Sequence, residues 1–242
     1  MDLNKIYYKI LRENLTHHGF TYKIGENKDV HEFNTNECSK GGLYFTDYEF
    51  LHNYIEYGPK MAKIKLYPDS KVSREDGEYK TDKFEILEIT DIPEEIYLNA
   101  VQQDGYALTY VKEQTPEICL AAVKQNGHII RYVEERTPEI YLAAVQQTGY
   151  ALQCIEEQTP EICLAAVKQN GYSLQYVEEQ TPEICLAAVK QNGYALQYVK
   201  NQTLEICLAA IEQNENSFKF VNKKISISTW KMLCEIKNLL KM

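Results

Sequence analysis

A threonine returns every 22 residues through the second half of this chain, at Thr115, Thr137, Thr159, Thr181 and Thr203. A fixed period of that size marks one supersecondary unit copied and stacked, because a single copy cannot bury its own apolar face. The unit is clearest in TPEICLAAVKQNGYALQYV, residues 181–199. The register predicts six copies, over 93–114, 115–136, 137–158, 159–180, 181–202 and 203–224. Pro93 takes the Thr slot at the front, and Leu204 and Glu215 replace Pro and Gly at the back, as expected of end caps with one face in water. A stretch of helical spacing, 228–240, is expected to close the array, with the sole tryptophan, Trp230, as a plug.

Within a unit the helix signals are explicit. Thr115 can cap through its hydroxyl, Pro116 fits the first turn, Glu117 faces the positive end of the helix dipole, and Gly127 in a left-handed conformation would end the helix. Ile118, Cys119, Leu120, Ala122 and Val123 cover more than half of the wheel, leaving Glu117, Ala121, Lys124 and Gln125 to solvent. Such a helix must pack on two sides. A second helix of about eight residues is predicted over 172–179, with Leu174 and Val177 inward and Gln175 and Glu178 outward. Neither helix survives alone at these lengths, so a helix-hairpin solenoid is predicted.

Residues 1–90 have another texture. Period-two runs at 63–67 and 84–89 suit half-buried strands, Gly41-Gly42 and Gly58-Pro59 break the chain, 48–55 after Thr46-Asp47 looks like a capped short helix, and 70–80 reads as a charged turn around Asp76-Gly77. The fold class expected is α+β: a small α+β leader over 1–90, then an all-α solenoid over 91–242.

The net charge of -9 disfavours nucleic-acid and anionic-membrane partners, which require surplus Lys and Arg. The N-terminus lacks a signal-peptide core and no apolar run of about 18 residues occurs, so a cytoplasmic protein is expected. Cys119, Cys163, Cys185 and Cys207 share one slot, which Tyr97 and Tyr141 also occupy. Neighbouring copies of that slot should lie about 8–10 Å apart, too far for disulfides, so these are read as buried free thiols.

Two resemblances follow. Cys38-Ser39-Lys40-Gly41-Gly42-Leu43-Tyr44-Phe45-Thr46, Tyr57-Gly58, Ile64-Lys65-Leu66-Tyr67-Pro68 and Tyr79-Lys80-Thr81-Asp82-Lys83 resemble the leader that precedes repeat arrays, often ankyrin arrays, in giant-virus (mimivirus-type) proteins. The units over 93–224 are similar to short α-helical repeats of a domain of unknown function, abundant in the same viruses. The leader resemblance implies no assigned activity. It implies a viral origin, and then the host cytoplasm.

Candidate sites are few. Two columns of tyrosine slots run through the repeats: Tyr106, His128, Tyr150, Tyr172, Tyr194 and Asn216, then Tyr110, Tyr132, Cys154, Tyr176, Tyr198 and Phe220. The second accepts Cys and Phe and reads as core; the first accepts His and Asn and reads as surface. A partner-binding groove is therefore expected to involve Tyr106, His128, Tyr150, Tyr172 and Tyr194 with the polar face of Glu117, Lys124, Lys168 and Lys190. The alternative is that these tyrosines only cover helix junctions. The Glu column, 95 to 205, is better explained by dipole stabilisation than by ligand mimicry.

His17, His18, His31 and Cys38 have no recognised ligand spacing and read as solvated loop residues, so no metal site is expected. Gly41-Gly42 lacks the rest of a phosphate loop and reads as a tight turn. No catalytic constellation and no cofactor follow from spacing. The expected function is a non-enzymatic protein-interaction scaffold or adaptor, with an uncharacterised enzyme-like leader, fed by the solenoid, as the alternative.

Overall fold

The computed structural model describes residues 2–17, 19–36, 40–75, 78–222 and 231–232. It divides into two compact units, Met1–Ile118 and Cys119–Met242. No helix among the described residues is long and apolar enough to cross a membrane. The predicted closing segment with Trp230, and His18, Cys38 and Asp76-Gly77, lie outside the described residues, apart from Lys231 and Met232.

The first unit holds strands β1 (Tyr7–Leu11), β2 (Thr16–His17), β3 (Phe20–Thr21), β4 (Gly25–Lys28), β5 (Leu43–Thr46), β6 (Lys60–Lys65), β7 (Val72–Glu75), β8 (Glu78–Thr81) and β9 (Lys83–Asp91). Seven of them form one sheet in the order β4-β9-β6-β1-β5-β8-β7, and β2 pairs with β3 separately. The pairings are antiparallel. The predicted run at 84–89 falls in β9, whereas the run at 63–67 overlaps β6 only to Lys65; the register of the two strands slips once, between Lys63 and Ile64. Tyr7, Leu11, Leu43, Phe45, Ile64, Phe84 and Ile86 share one core cluster. Burial of side chains this large stabilises by about 1.5–3 kcal/mol each.

Two expectations for this unit need correction. The segment after Asp47 is a 3₁₀ helix, Tyr48–Tyr57, and Asp47 does not cap it. The Asp47 carboxylate instead meets Lys5 at 2.8 Å and accepts from the Tyr79 hydroxyl at 3.0 Å. The charged 70–80 stretch is a strand pair, β7 with β8, because Val72 pairs with Thr81 and Arg74 with Tyr79. Gly41-Gly42 does turn tightly, at φ of 91° and 148°, and a Cβ on Gly41 would stand 2.0 Å from the Glu32 carbonyl oxygen.

Helix α1 (Glu94–Gln103) and the 3₁₀ helix Gly105–Tyr110 complete this unit with the first residues of α2 (Pro116–Gln125). The Tyr48 hydroxyl donates to Glu95, and Gln103 Nε2 lies 2.7 Å from His52 Nε2, so helix 48–57 is pinned to α1.

In the second unit α3 (Pro138–Gln147), α4 (Pro160–Gln169), α5 (Pro182–Gln191) and α6 (Leu204–Gln213) pack consecutively, each followed by a six-residue 3₁₀ helix. The α+β class with a helical solenoid is thus the observed fold. Thr137, Thr159, Thr181 and Thr203 cap as expected, each hydroxyl accepting from the amide of Ile140, Ile162, Ile184 or Ile206 at 3.3 Å.

The second helix is 3₁₀ rather than α, ending at Tyr176 in the clearest copy. Gly127 does not end α2 in a left-handed conformation. An extended residue, Asn126, stops it and accepts from the His128 amide at 3.1 Å, which starts the 3₁₀ turn. Glycine is required by crowding: a Cβ on Gly127, Gly149, Gly171 or Gly193 would stand 2.5 Å from a carbonyl oxygen of the next helix.

Glutamine does work that its polar slot did not suggest. Gln147, Gln169, Gln191 and Gln213 each accept from the amide of the glycine 20 residues earlier, at 2.6–2.9 Å. Gln180 clasps the following unit twice, donating to the Tyr198 carbonyl and accepting from the Lys200 amide, both at 2.9 Å. Backbone groups at the unit junctions, which would otherwise lack partners, are satisfied this way.

Candidate functional site

Glu161, Leu164, Ala165 and Lys168 stand at i, i+3, i+4 and i+7 on α4 and so occupy one helix face; Glu183, Leu186, Ala187 and Lys190 repeat this on α5. The face opens into two adjoining recesses. One, of about 720 Å³, is lined by Leu142 and Gln146 of α3 with Glu161, Leu164, Ala165, Lys168 and Gln169. The other, of about 650 Å³, is lined by Lys168, Glu183, Leu186, Ala187, Lys190 and Gln191.

Lys168 belongs to both, so the recesses form one groove with an apolar floor, Glu along the helix N-termini and Lys along the C-termini. Seven residues of helix separate Glu from Lys, about 10 Å at 1.5 Å per residue. The Leu slot is half-buried rather than core, and Ala165 and Ala187 share its floor. Ile, Cys, Ala and Val of each helix already fill the two packed sides, leaving Leu beyond the junction.

Of the expected partner residues, the structure brings Lys168 and Lys190 together in this groove. Glu117 and Lys124 sit at the two ends of α2. The tyrosines are elsewhere: no first-column residue lines either recess.

Nor are the two columns a core and a surface. Tyr110 and Tyr132 of the second are 48% and 43% exposed, against 49% for Tyr106 of the first, and Tyr150, Tyr172, Tyr176, Tyr194 and Tyr198 are half-buried. The rings interlock: Tyr150 meets Tyr176, Tyr172 meets Tyr198 and Tyr194 meets Phe220, all edge-on with centroids 5.8–6.1 Å apart. In these three pairs the first-column ring thus packs on the second-column ring of the next unit. The slot accepts Phe because the contact is ring to ring.

A second place was not legible in the sequence. Lys9 of β1 is buried, with Nζ 2.8 Å from the Tyr44 carbonyl oxygen and 3.0 Å from His17 Nδ1. His17 is itself buried in β2 and stacks obliquely on Tyr57, which corrects its reading as a solvated loop residue; His31, exposed beside Asp29, fits that reading. Lys9 and His17 line a cavity of about 30 Å³ with Tyr44, Thr46, Tyr54 and Glu78. Burial lowers the Lys9 amine to about 7 against the pull of Glu78, and burial, with the charge of Glu78 and then its hydrogen bond, pushes Tyr54 up to about 12. A lysine inside a strand carries no sequence signal that its side chain is buried. Among the described residues, no group of three or more His, Cys, Asp or Glu could hold a metal ion.

Comparison with known families places the repeats. The profile of the family described as Domain of unknown function (DUF4116) matches five overlapping windows: 94–137, 115–159, 137–181, 159–204 and 181–226. Together they span more than half of the chain.

The chain belongs to the DUF4116 family.

Successive DUF4116 matches are offset by about 22 residues, the spacing of the capped helices α2 to α6. The chain is 36% identical over 84 residues to R868 of Acanthamoeba polyphaga mimivirus, a protein named for ankyrin repeats, covering 34% of this chain and 42% of that protein. It is 36% identical over 69 residues to the uncharacterized protein R869 of the same virus, covering 27% of this chain and 50% of R869. The resemblance to giant-virus repeat proteins therefore holds, although the chain spans half or less of the length of these relatives. No solved structure matches the DUF4116 chain significantly.

Proposed function

We propose that this protein is a non-enzymatic interaction scaffold whose DUF4116 repeats bind an extended segment of a partner protein along the α3–α5 groove. The observation that carries the reading is the repeated strip of Glu, Leu, Ala and Lys lining two contiguous recesses around Lys168. Packed helices recur about every 8–10 Å. An extended chain in the polyproline conformation advances about 9 Å in three residues. A segment with an apolar side chain at every third position therefore matches the floor, with acidic side chains toward Lys168 and Lys190 and basic ones toward Glu161 and Glu183.

The net charge of -9 supports a protein partner over a nucleic acid. The name of the mimivirus relative R868 adds to this, since ankyrin arrays are stacked repeats of the kind that present extended binding surfaces. Residues 1–90 act in this reading as leader and residues 91–242 as the binding array, at work in the cytoplasm of an infected cell. Glu117 and Lys124 extend the same helix-end pattern to α2. Tyr106, His128, Tyr150, Tyr172 and Tyr194 form a flanking surface, of which the interlocked rings chiefly hold units together.

A peptide library selected on the full chain tests this. Sequences with period-three apolar residues and acidic neighbours are expected, losing binding to Lys168→Glu/Lys190→Glu and regaining it when the peptide acids become lysines. Selected peptides that bind the charge-reversed chain equally well would sink the groove reading.

A further inference from the structure

The Lys9 cavity lies outside the groove, and its chemistry stands independently of it. We propose that Lys9 is a nucleophilic amine that captures a one- or two-carbon aldehyde as an imine in the cavity between β1, β2 and helix 48–57. Three observations support this. Lys9 Nζ is held in place by the Tyr44 carbonyl, which orients the amine. His17 Nδ1 lies 3.0 Å away, within reach of the reacting nitrogen's protons. The space beside them, about 30 Å³, holds two or three small atoms rather than a large ligand.

The groups facing Lys9 are His17 from β2, Tyr44 from β5, Tyr54 and Tyr57 from helix 48–57, Glu78 from β8, and the Tyr22 ring, whose centroid is 5.1 Å from Nζ. Burial outweighs the attraction of Glu78 and brings the amine to about 7, so about half of it is neutral at pH 7. An ordinary lysine, at about 10.4, has roughly one neutral amine in 2,500 there.

The step balances without an external oxidant or reductant. The Nζ lone pair attacks the carbonyl carbon, the C=O π pair moves to oxygen, and the proton shed by nitrogen reaches that oxygen through His17, giving a carbinolamine. The remaining N–H proton then passes to His17 and from it to the hydroxyl, which leaves as water while the nitrogen lone pair forms C=N, and His17 ends neutral as it began. The sum is amine plus aldehyde giving imine plus one water. Such capture is stoichiometric and asks no turnover of the scaffold.

The test treats the full chain with acetaldehyde and cyanoborohydride, which fixes the imine as a secondary amine, and maps labelled lysines by peptide mass spectrometry. Lys9 is expected to label at least about tenfold faster than the median lysine at pH 7, the part of its neutral-amine advantage that survives restricted access. Its rate should level off above pH 7 while other lysines keep accelerating. Benzaldehyde, too large for the cavity, should remove the advantage, and His17→Gln should slow Lys9 alone. A Lys9 rate at or below the median, an equal advantage with benzaldehyde, or an unchanged rate in His17→Gln overturns the proposal. Competition among lysines in the unsubstituted chain decides the matter if the variant fails to fold.

Discussion

The ring of Tyr172 meets the ring of Tyr198 edge-on, with centroids 6.0 Å apart and planes at 82°. The two residues are 26 positions apart, so the contact ties the 3₁₀ helix of one unit to that of the next. The same slots in the preceding pair of units hold His128 and Cys154. Replacing both with Tyr is expected to extend the ladder. The double variant should exceed the sum of the single variants by about 0.5–1.5 kcal/mol in a urea-unfolding cycle, the worth of an edge-on aromatic pair. Strict additivity would show that the ring contact adds nothing.

Ser173 is fully buried and its hydroxyl has no hydrogen-bond partner, whereas the matching slots at 151 and 195 hold Ala. Desolvating an unpaired hydroxyl costs about 1–3 kcal/mol. Ser173→Ala is therefore expected to raise the urea midpoint, by about 1 kcal/mol in free energy. A lower midpoint would mean that the hydroxyl is satisfied in solution.

Gly171 tolerates no Cβ, since one would stand 2.5 Å from the Ala188 carbonyl oxygen and 2.9 Å from Gln191 Oε1. Gly171→Ala should push α5 outward and break the Gln191 bond to the residue 171 amide, costing about 1–3 kcal/mol as overpacking does. Hydrogen exchange at residue 171 would report the broken bond as faster exchange; unchanged protection would refute it.

Burial raises the thiols of Cys163, Cys185 and Cys207, the last to about 11. An acid whose folded pKa lies above its unfolded value, about 8.5 for Cys, stabilises fully below that value and loses its contribution as pH rises through the folded pKa. The stability difference between the unsubstituted chain and Cys207→Ala should be constant below about pH 8 and shrink steadily toward pH 11. Urea midpoints across that range check it, and a constant difference would place Cys207 in contact with water.

Much of the fold was readable because helix ends are local. Thr159, Pro160 and Glu161 act within one turn, so their hydrogen bond and dipole effects follow from adjacency. Gly127 was misread for the opposite reason. Its constraint comes from a carbonyl on the next helix rather than from its own φ. Gln180 and Gln191 were likewise hidden, because their partners lie 18–20 residues away. Of the candidate site, Lys168 and Lys190 were legible from period and chemistry, but the groove was not, since it depends on how far Leu164 and Leu186 lie beyond the packed sides.

The sequence alone determined the 22-residue spacing of the units, their register and the capped ends of helices α3 to α6, because a fixed period repeats local interactions unit by unit. Tertiary structure decided that the second helix is 3₁₀, that two tyrosine columns make one ladder, that Leu floors a groove, and that Lys9 is enclosed. Each of those depends on what a neighbouring strand or unit places against the residue, and burial by such neighbours changes the exposure, hydrogen bonding and protonation of a side chain without changing its place in the chain.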